Sequence, residues 1–464
     1  MSEFLYRLAL SLLRPLLPLR LYWRARREPD YGERRSERFG RIDSPVPAGA
    51  VWIHAVSAGE TLAVGPLVDR MRATRPDLPV LITTMTPTGK DAVQTRFAGA
   101  VPHAYAPYDF PDAVARALDA VRPALLVLVE TELWPNLIAA AHRRKIPVLL
   151  INARLSARSA RGYRWGGRLV RRMMRRLEHV ACQYPAHAAR FAALGVPADR
   201  LSVTGSVKFD LTLPAGLDEH ARALRQRLGL GSAPVWIAAS THPGEEALVL
   251  EAHHRVRQRI PDARLVLAPR HPQRATEVAA LCRAAGFAVR LSGTDRALSG
   301  PSDDPHGTQQ ARDAQEAIVL VNAMGVLLPH YALADAAFVG GSLIPVGGHN
   351  PIEPALIGVP MMVGPHVHNF ADVLAVLADP DFESPLAPAS DPAFDPALDP
   401  GKGPAPNAVA NVADPQTLAD VVTFWLGRNP VVAAARTAAG ERLMARACAA
   451  SGASARTAAL LLRH

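Results

Sequence analysis

Val339-Gly340-Gly341-Ser342-Leu343-Ile344-Pro345-Val346-Gly347-Gly348-His349-Asn350-Pro351-Ile352-Glu353-Pro354-Ala355 joins an apolar run to a helix-opening signal across two Gly-Gly pairs. Ala336–Val339 reads as a buried strand. Asn350 is suited to cap the helix that follows, with Pro351 at the first helical position, where its missing N–H costs nothing. Glycines ahead of a helix N-terminus let backbone approach a ligand closely and turn free N–H groups toward an anion. A nucleotide phosphate is the natural guest. A glycine-rich connector that only turns the chain would carry the same letters, so the rest of the sequence must choose between the two.

Outward from this segment the same rhythm repeats. Short apolar runs stand at Val51–Val56, Val80–Thr84, Leu125–Glu130, Val148–Asn152, His179–Cys182 and Leu201–Thr204. A second series stands at Val235–Ala239, Arg264–Ala268, Phe287–Leu291, Ala317–Val321, Ala336–Val339 and Pro360–Val363. Helical patterns such as Thr61–Arg72 and Trp134–Arg144 fall between them. Alternation of this kind predicts parallel sheets covered on both faces. The chain has 464 residues, enough for two such domains. The polar, Leu/Pro-punctuated stretch Lys208–Pro214 marks the boundary. We therefore expect a segment 1–40, a domain 41–211 and a domain 212–464. Two stretches break the alternation, near 292–316 and 379–414, the second rich in Pro, Asp and Ala; both read as exposed insertions. Val431–Arg463 is Ala- and Arg-rich, helical in period, and long enough to pack back across the boundary.

Charge narrows the partners. The net charge is +10. Residues 1–41 carry ten arginines against five acids, and a second arginine cluster runs from Arg158 to Arg176. Such patches favour phosphate-bearing partners: nucleic acid, anionic lipid or a phosphorylated sugar. The segment Phe4–Trp23 is apolar, but Pro15, Pro18 and Arg7, Arg14 and Arg20 interrupt it. It is too broken for a spanning helix of about 20 apolar residues, and no small-residue cleavage site follows. It reads as a helix lying in a membrane interface, with Tyr22 and Trp23 at headgroup level and arginines on anionic lipid. A single-pass anchor flanked by Arg24–Arg27 is the other reading. Cys182, Cys282 and Cys448 form no CxxC pair, and His242, His271, His349, His366 and His368 show no metal-binding helical spacing. No metal site and no cofactor are expected.

In open α/β sheets ligands sit at the carboxyl ends of strands, and six groups stand there. His54-Ala55-Val56-Ser57-Ala58-Gly59-Glu60-Thr61 places Glu60 at a helix start, as a cap residue or a general base. Thr83–Gly89 is hydroxyl-rich and either binds phosphate or caps. Glu130-Thr131-Glu132-Leu133-Trp134-Pro135-Asn136 ends an apolar strand with two carboxylates that sheet packing does not require. Asn152–Ser156 and Gly205–Asp210 follow, the latter carrying Lys208 at the boundary. Ala268-Pro269-Arg270-His271-Pro272 puts an arginine where a phosphate can be gripped. Carboxylates thus gather in the first domain and phosphate-friendly groups in the second, the division of labour of a nucleotide-sugar transferase.

In order and spacing, His54–Glu60, Glu130–Asn136, Pro269–Pro272 and Gly347–Pro354 together resemble the bacterial 3-deoxy-D-manno-octulosonic acid (Kdo) transferases of lipopolysaccharide core assembly. The resemblance implies an α/β fold of GT-B type: two doubly wound Rossmann-like domains facing a cleft, with an N-terminal membrane-associated helix. It implies an inverting transfer from a CMP-Kdo donor to a lipid A precursor at the cytoplasmic face of the bacterial inner membrane. It further implies Glu60 as catalytic base and Glu130 and Lys208 as transition-state-stabilising groups. Pro269 and Arg270, Met324-Gly325-Val326 and Asn350-Pro351-Ile352-Glu353 are the implied CMP contacts. Two departures stand out. Asn322-Ala323-Met324-Gly325-Val326 replaces the family's Asp-Thr-Met-Gly-Glu, and Ser206-Val207 replaces Asn-Leu before Lys208. Two other readings remain: a different GT-B transferase or epimerase with a soluble substrate, and a non-catalytic membrane-associated nucleotide- or nucleic-acid-binding protein. The arginine stretches have few interleaved aromatics, and strand-end carboxylates repel a polyanion, so nucleic acid is not expected as a partner.

Overall fold

The structure is a computed structural model that describes residues 3–42, 46–292, 317–378 and 405–463. It divides into two compact units, Met1–Leu211 with Ala450–His464, and Thr212–Ala449. The last helix, Ala453–Leu461, therefore belongs to the first unit rather than to the expected 212–464 domain. Asp210 accepts hydrogen bonds from the Gly452 and Ser454 N–H groups, and the Arg456 guanidinium reaches the Thr204 carbonyl. These polar ties, with Ala458 and Leu461 in the core beneath the first sheet, hold the returning chain.

The first unit holds seven parallel strands. They are β1 (Val51–His54), β2 (Val80–Thr84), β3 (His103–Tyr105), β4 (Leu125–Val129), β5 (Val148–Ala153), β6 (His179–Cys182) and β7 (Leu201–Val203). Their spatial order is β3-β2-β1-β4-β5-β6-β7. The central strands read Val-Trp-Ile-His and Leu-Leu-Val-Leu-Val and are buried along their whole length. That is why they show continuous apolar runs and no alternation. Each fully buried Leu or Val in them contributes about 1.5–3 kcal/mol. β3 is short and flanked by prolines, so no apolar run announces it.

The second unit repeats the plan with β8 (Val235–Thr241), β9 (Arg264–Pro269), β10 (Val289–Leu291), β11 (Ile318–Leu320), β12 (Ala336–Val339), β13 (Met361–Val363) and β14 (Val409–Asn411). Their order is β10-β11-β9-β8-β12-β13-β14, again all parallel. Residues 293–316 and 379–404, most of the two expected insertions, lie outside the described residues. The remainder of the second departs from expectation. Val409–Asn411 is a strand, and Asp414 forms a reciprocal capping box with Thr417 at the start of helix Pro415–Trp425. A three-residue edge strand behind a run of prolines carries too little pattern to be read as one.

In each sheet the chain reverses its direction of travel across the sheet once, between β1 and β4 and between β8 and β12. At these switch points adjacent loops run to opposite sides and leave a crevice. The residues after β1, β4, β8 and β12 are therefore the ones that form a site.

Candidate active site

In the first unit, Ser57 caps helix Ala58–Thr74, its Oγ accepting from the Glu60 N–H at 3.3 Å. The Glu60 carboxylate folds back over the same loop. It accepts from the Val56 N–H and from the Ser57 Oγ–H, both at 2.9 Å. Glu60 thus serves the helix start and at the same time stands at the switch point. Each carboxylate oxygen keeps a lone pair beyond these bonds. Burial, together with the charges of Glu130 and Glu132, pushes the Glu60 carboxyl up to about 8, while the Ser57 and Val56 hydrogen bonds pull against this.

Glu130 follows β4 directly and lies in the left-handed region, at φ 56°. Backbone of this kind is unfavourable for a non-glycine residue and persists only where its surroundings fix it. The Glu130 carboxylate pairs with Lys208 Nζ at 3.0 Å, both partly exposed. Lys208 sits on a short 3-10 turn, Val207–Asp210. Buried Asn152, itself left-handed at φ 48°, receives the Val207 N–H on its Oδ1 at 3.3 Å. The fourth and fifth sequence groups therefore form one support for Lys208. Glu132 is held by the Trp134 indole N–H at 2.9 Å, and burial raises its carboxyl pKa.

Two further side chains of these groups serve the fold. The His54 ring is fully buried, edge-on to Trp134 at 4.5 Å, and meets Thr83 Oγ1 at 3.2 Å. Burial drives it down to about 3, so it stays neutral. Thr86 caps helix Pro87–Phe97 through the Gly89 N–H, the capping alternative for the hydroxyl-rich stretch.

In the second unit, Pro269 closes β9 and Arg270 follows it, its N–H bound to the Thr241 carbonyl at 2.9 Å. The Arg270 guanidinium reaches toward Met324 Sδ at 4.0 Å, so Arg270 and the Met324-Gly325-Val326 loop share one place. Met324 is 63 % exposed, and Gly325 takes φ 76°. The Val326 carbonyl contacts His330 Nδ1 at 2.7 Å. Asn350 Oδ1 accepts the Ile352 N–H and its Nδ2 donates to Glu353 Oε1. Burial raises the Glu353 carboxyl pKa. Ile352 is core, 0 % exposed, so only its backbone can meet a ligand. Pro351 is buried and occupies the cap position, one residue earlier in the helix frame than expected. Among the described residues no group of three or more His, Cys, Asp or Glu is placed to hold a metal ion.

In the first half of the glycine-rich loop the N–H groups of Gly341, Ser342 and Leu343 converge on an anion that is the protein's own. Fully buried Glu245 accepts from the Gly341, Ser342 and Leu343 N–H groups at 2.6, 2.9 and 2.9 Å, and from the His242 N–H at 3.0 Å. The loop was built to receive negative charge, and a carboxylate 96 residues away in sequence fills it. Nothing local in the sequence marks that partner.

The N-terminal segment forms two helices, Glu3–Leu13 and Leu16–Arg27, broken at Pro15. Phe4, Leu8 and Leu12, then Leu16, Leu19 and Trp23, are exposed at 45–72 %. Two of the expected lipid-facing arginines turn the other way. Arg7 donates to Asn136 Oδ1 at 3.1 Å, and Arg14 pairs with Asp112 at 2.8 Å. Tyr6 donates to buried Asp109, which also takes the Asn136 and Leu137 N–H groups. These contacts need polar partners whose positions only the fold reveals. No described helix is long and apolar enough to cross a membrane.

Comparison with known proteins gives the family. Residues 33–211 match the family described as 3-Deoxy-D-manno-octulosonic-acid transferase (kdotransferase). A 3-deoxy-D-manno-octulosonic acid transferase of Haemophilus influenzae is 36 % identical over 383 residues, 82 % of this chain and 86 % of that protein. One of Bordetella pertussis is 38 % identical over 384 residues, 80 % and 85 % of the two chains. The crystal structure of UDP-GlcNAc 2-epimerase from Neisseria meningitidis covers 89 % of this chain and all of its own, with a TM-score of 0.54 at 13 % identity. That likeness concerns the fold alone, which is α/β of GT-B type. A glycosyltransferase by its relatives, the chain belongs to the 3-deoxy-D-manno-octulosonic acid (Kdo) transferase family.

Proposed function

We propose that the protein transfers Kdo from CMP-Kdo to a lipid A precursor in lipopolysaccharide core assembly, with inversion at the anomeric carbon. Family membership supports the sugar. The observation that carries the mechanism is the Glu60 carboxyl, pushed up to about 8 at the switch point of the first sheet. A carboxylate of that basicity is matched to taking a proton from a sugar hydroxyl near neutral pH. The acceptor oxygen loses its proton to Glu60 and forms a bond to the anomeric carbon. The bond from that carbon to the phosphate oxygen breaks, and its electron pair leaves with CMP. The Lys208–Glu130 pair steadies charge at the reacting centre, and Arg270 takes the charge developing on the phosphate. Donors fixed in advance where charge develops contribute several kcal/mol in the transition state. Glu353 is suited to ribose hydroxyls, and Met324 and Gly325 to the base through their backbone.

The exposed apolar stripe from Phe4 to Trp23 supports interfacial binding of the first two helices, with Arg20, Arg24 and Arg26 at anionic headgroups. We place that surface on the cytoplasmic side of the inner membrane, where a nucleotide-activated donor and a phosphorylated, acylated acceptor meet. The test is incubation with CMP-Kdo and a tetra-acylated lipid A precursor, read by mass spectrometry. A product heavier by one or more Kdo units supports the reading. CMP release without a Kdo adduct, or tighter binding of UDP than of CMP, refutes it.

A further inference from the structure

His242 leaves the end of β8, and His349 lies in the loop after β12, the two strands that flank the switch point of the second sheet. Their Nε2 atoms stand 2.7 Å apart. The rings are parallel to within 3° with centroids 5.0 Å apart. Rings laid face to face at that separation could not bring two nitrogens so close. The imidazoles therefore lie end to end in one plane, joined by a single N–H···N bond.

The arrangement is built rather than incidental. Glu245 takes the His242 N–H and three N–H groups of the glycine-rich loop on one carboxylate, stapling the two histidine-bearing segments together. Gly341 leaves the space that His349 fills: a β-carbon there would come within 2.8 Å of His349 Cδ2 and 3.0 Å of its Nε2. The His271 ring stands edge-on to His242 at 5.9 Å, and Arg270 is the residue before it.

Proton counting gives the pair a property that neither ring has alone. When neutral, it holds two protons. One lies in the Nε2–Nε2 bridge, and the other is on Nδ1 of the ring that accepts the bridge. Nδ1 of the donating ring is bare. One further proton can enter there and turns the bridge into a charge-assisted bond. A second cannot enter without setting two N–H groups against each other across 2.7 Å. The pair thus titrates as a unit with room for one added charge.

Its surroundings keep that charge out while no anion is near. Burial, then His242, Arg270 and His271, hold His349 down to about 4. Burial lowers His242 as well, helped by His271 and Arg270 and opposed by Glu245 and Glu246. The two acids are already committed, Glu245 to four N–H groups and Glu246 to Arg274 at 2.7 Å. An incoming anion would tip this balance.

We infer that the His242–His349 pair is a proton store of the donor site, neutral without ligand and taking up one proton when a nucleotide monophosphate lodges beside Arg270. This rests on the reading of Arg270 as the phosphate contact. Its consequence is that the donor's charge is matched by a proton drawn from water on binding, in addition to the fixed charge of Arg270.

Calorimetric titration of the full-length protein with CMP tests it, in two buffers of very different ionisation enthalpy, from pH 7 upward. CMP's own second ionisation lies near pH 6, at about the value usual for phosphate monoesters, so the protein dominates proton exchange in that window. The expected result is a buffer-dependent heat corresponding to uptake of part of one proton. Affinity falls as pH rises, by up to about tenfold per unit, the limit for one linked proton. Cytidine, lacking the phosphate, exchanges none. His349→Gln and His242→Gln abolish the uptake, whereas His271→Gln keeps it. Equal wild-type heats in both buffers overturn the inference without needing any variant to fold. So does equal uptake with cytidine, uptake that survives both pair substitutions, or uptake lost only with His271→Gln. Wild-type protein that binds no CMP at any pH overturns the donor reading instead.

Discussion

If Glu60 is the base, turnover must track the ionised fraction of one carboxyl. With its pKa pushed up to about 8, Glu60 is charged in roughly 1 % of molecules at pH 6, about 9 % at pH 7 and one half at pH 8. The sign follows directly: a raised carboxyl keeps its proton until the pH passes the raised value, so the rate climbs with pH. At saturating donor, kcat should increase by about tenfold per unit below pH 7 and level off above pH 8.5. Glu60→Gln should lose about 100–10,000-fold and flatten that limb, while binding CMP as before. Two neighbours give opposite signed checks. Ser57 donates to Glu60 and lowers its pKa, so Ser57→Ala should move the limb to higher pH. Glu132 raises it by charge, so Glu132→Gln should move the limb to lower pH. Initial rates of Kdo transfer at saturating donor and constant ionic strength, from pH 5.5 to 9.5, measure all four proteins. A wild-type profile flat between pH 6 and 9, or Glu60→Gln within tenfold of wild type, refutes the assignment. A shift in the same direction for Ser57→Ala and Glu132→Gln refutes the electrostatic account of its pKa.

Lys208→Ala removes the partner of a carboxylate held in left-handed backbone. It should cost roughly 100-fold in kcat with little change in donor KM, which steady-state kinetics will separate. Glu245→Gln swaps a four-fold acceptor for a group that points donors at donors; we expect a loss of about 3 kcal/mol or more, seen as a lower Tm. Gly340→Ala would set a β-carbon 2.7 Å from the Ser240 carbonyl oxygen and should destabilise by about 2 kcal/mol or more in the same melt. Leu8→Glu with Leu12→Glu should abolish co-sedimentation with anionic vesicles and leave the thermal melt unchanged, since both side chains are exposed.

The sheets were legible because strands buried on both faces carry continuous apolar runs, and β1, β2, β4, β6, β8, β9 and β12 each hold one of three residues or more. The polar letters at their ends stood out against that background, which is how Glu60, Glu130, Lys208 and Arg270 could be singled out. Long-range pairings were not legible. Glu245 reads as an ordinary acid at a helix start, and only the fold brings it under the glycine-rich loop. Arg7 and Arg14 look like lipid-facing cations until Asn136 and Asp112 come beside them. β3 and β14 are too short for a period to emerge, and the last helix changes units because Asp210 takes the Gly452 and Ser454 N–H groups and Arg456 reaches the Thr204 carbonyl. The His242–His349 pair is likewise invisible at 107 residues of separation, although His349 lies in the glycine-rich stretch.

Glu130 and Ser240, at φ 56° and 59°, both occupy backbone that glycine would adopt without strain. Screening a variant library for heat tolerance alone would therefore tend to enrich glycine at these two positions. At position 130 that gain would erase the partner of Lys208, so a hardier protein from such a campaign would be a duller tool. Any effort to engineer robustness here should hold that residue constant and seek its improvements elsewhere.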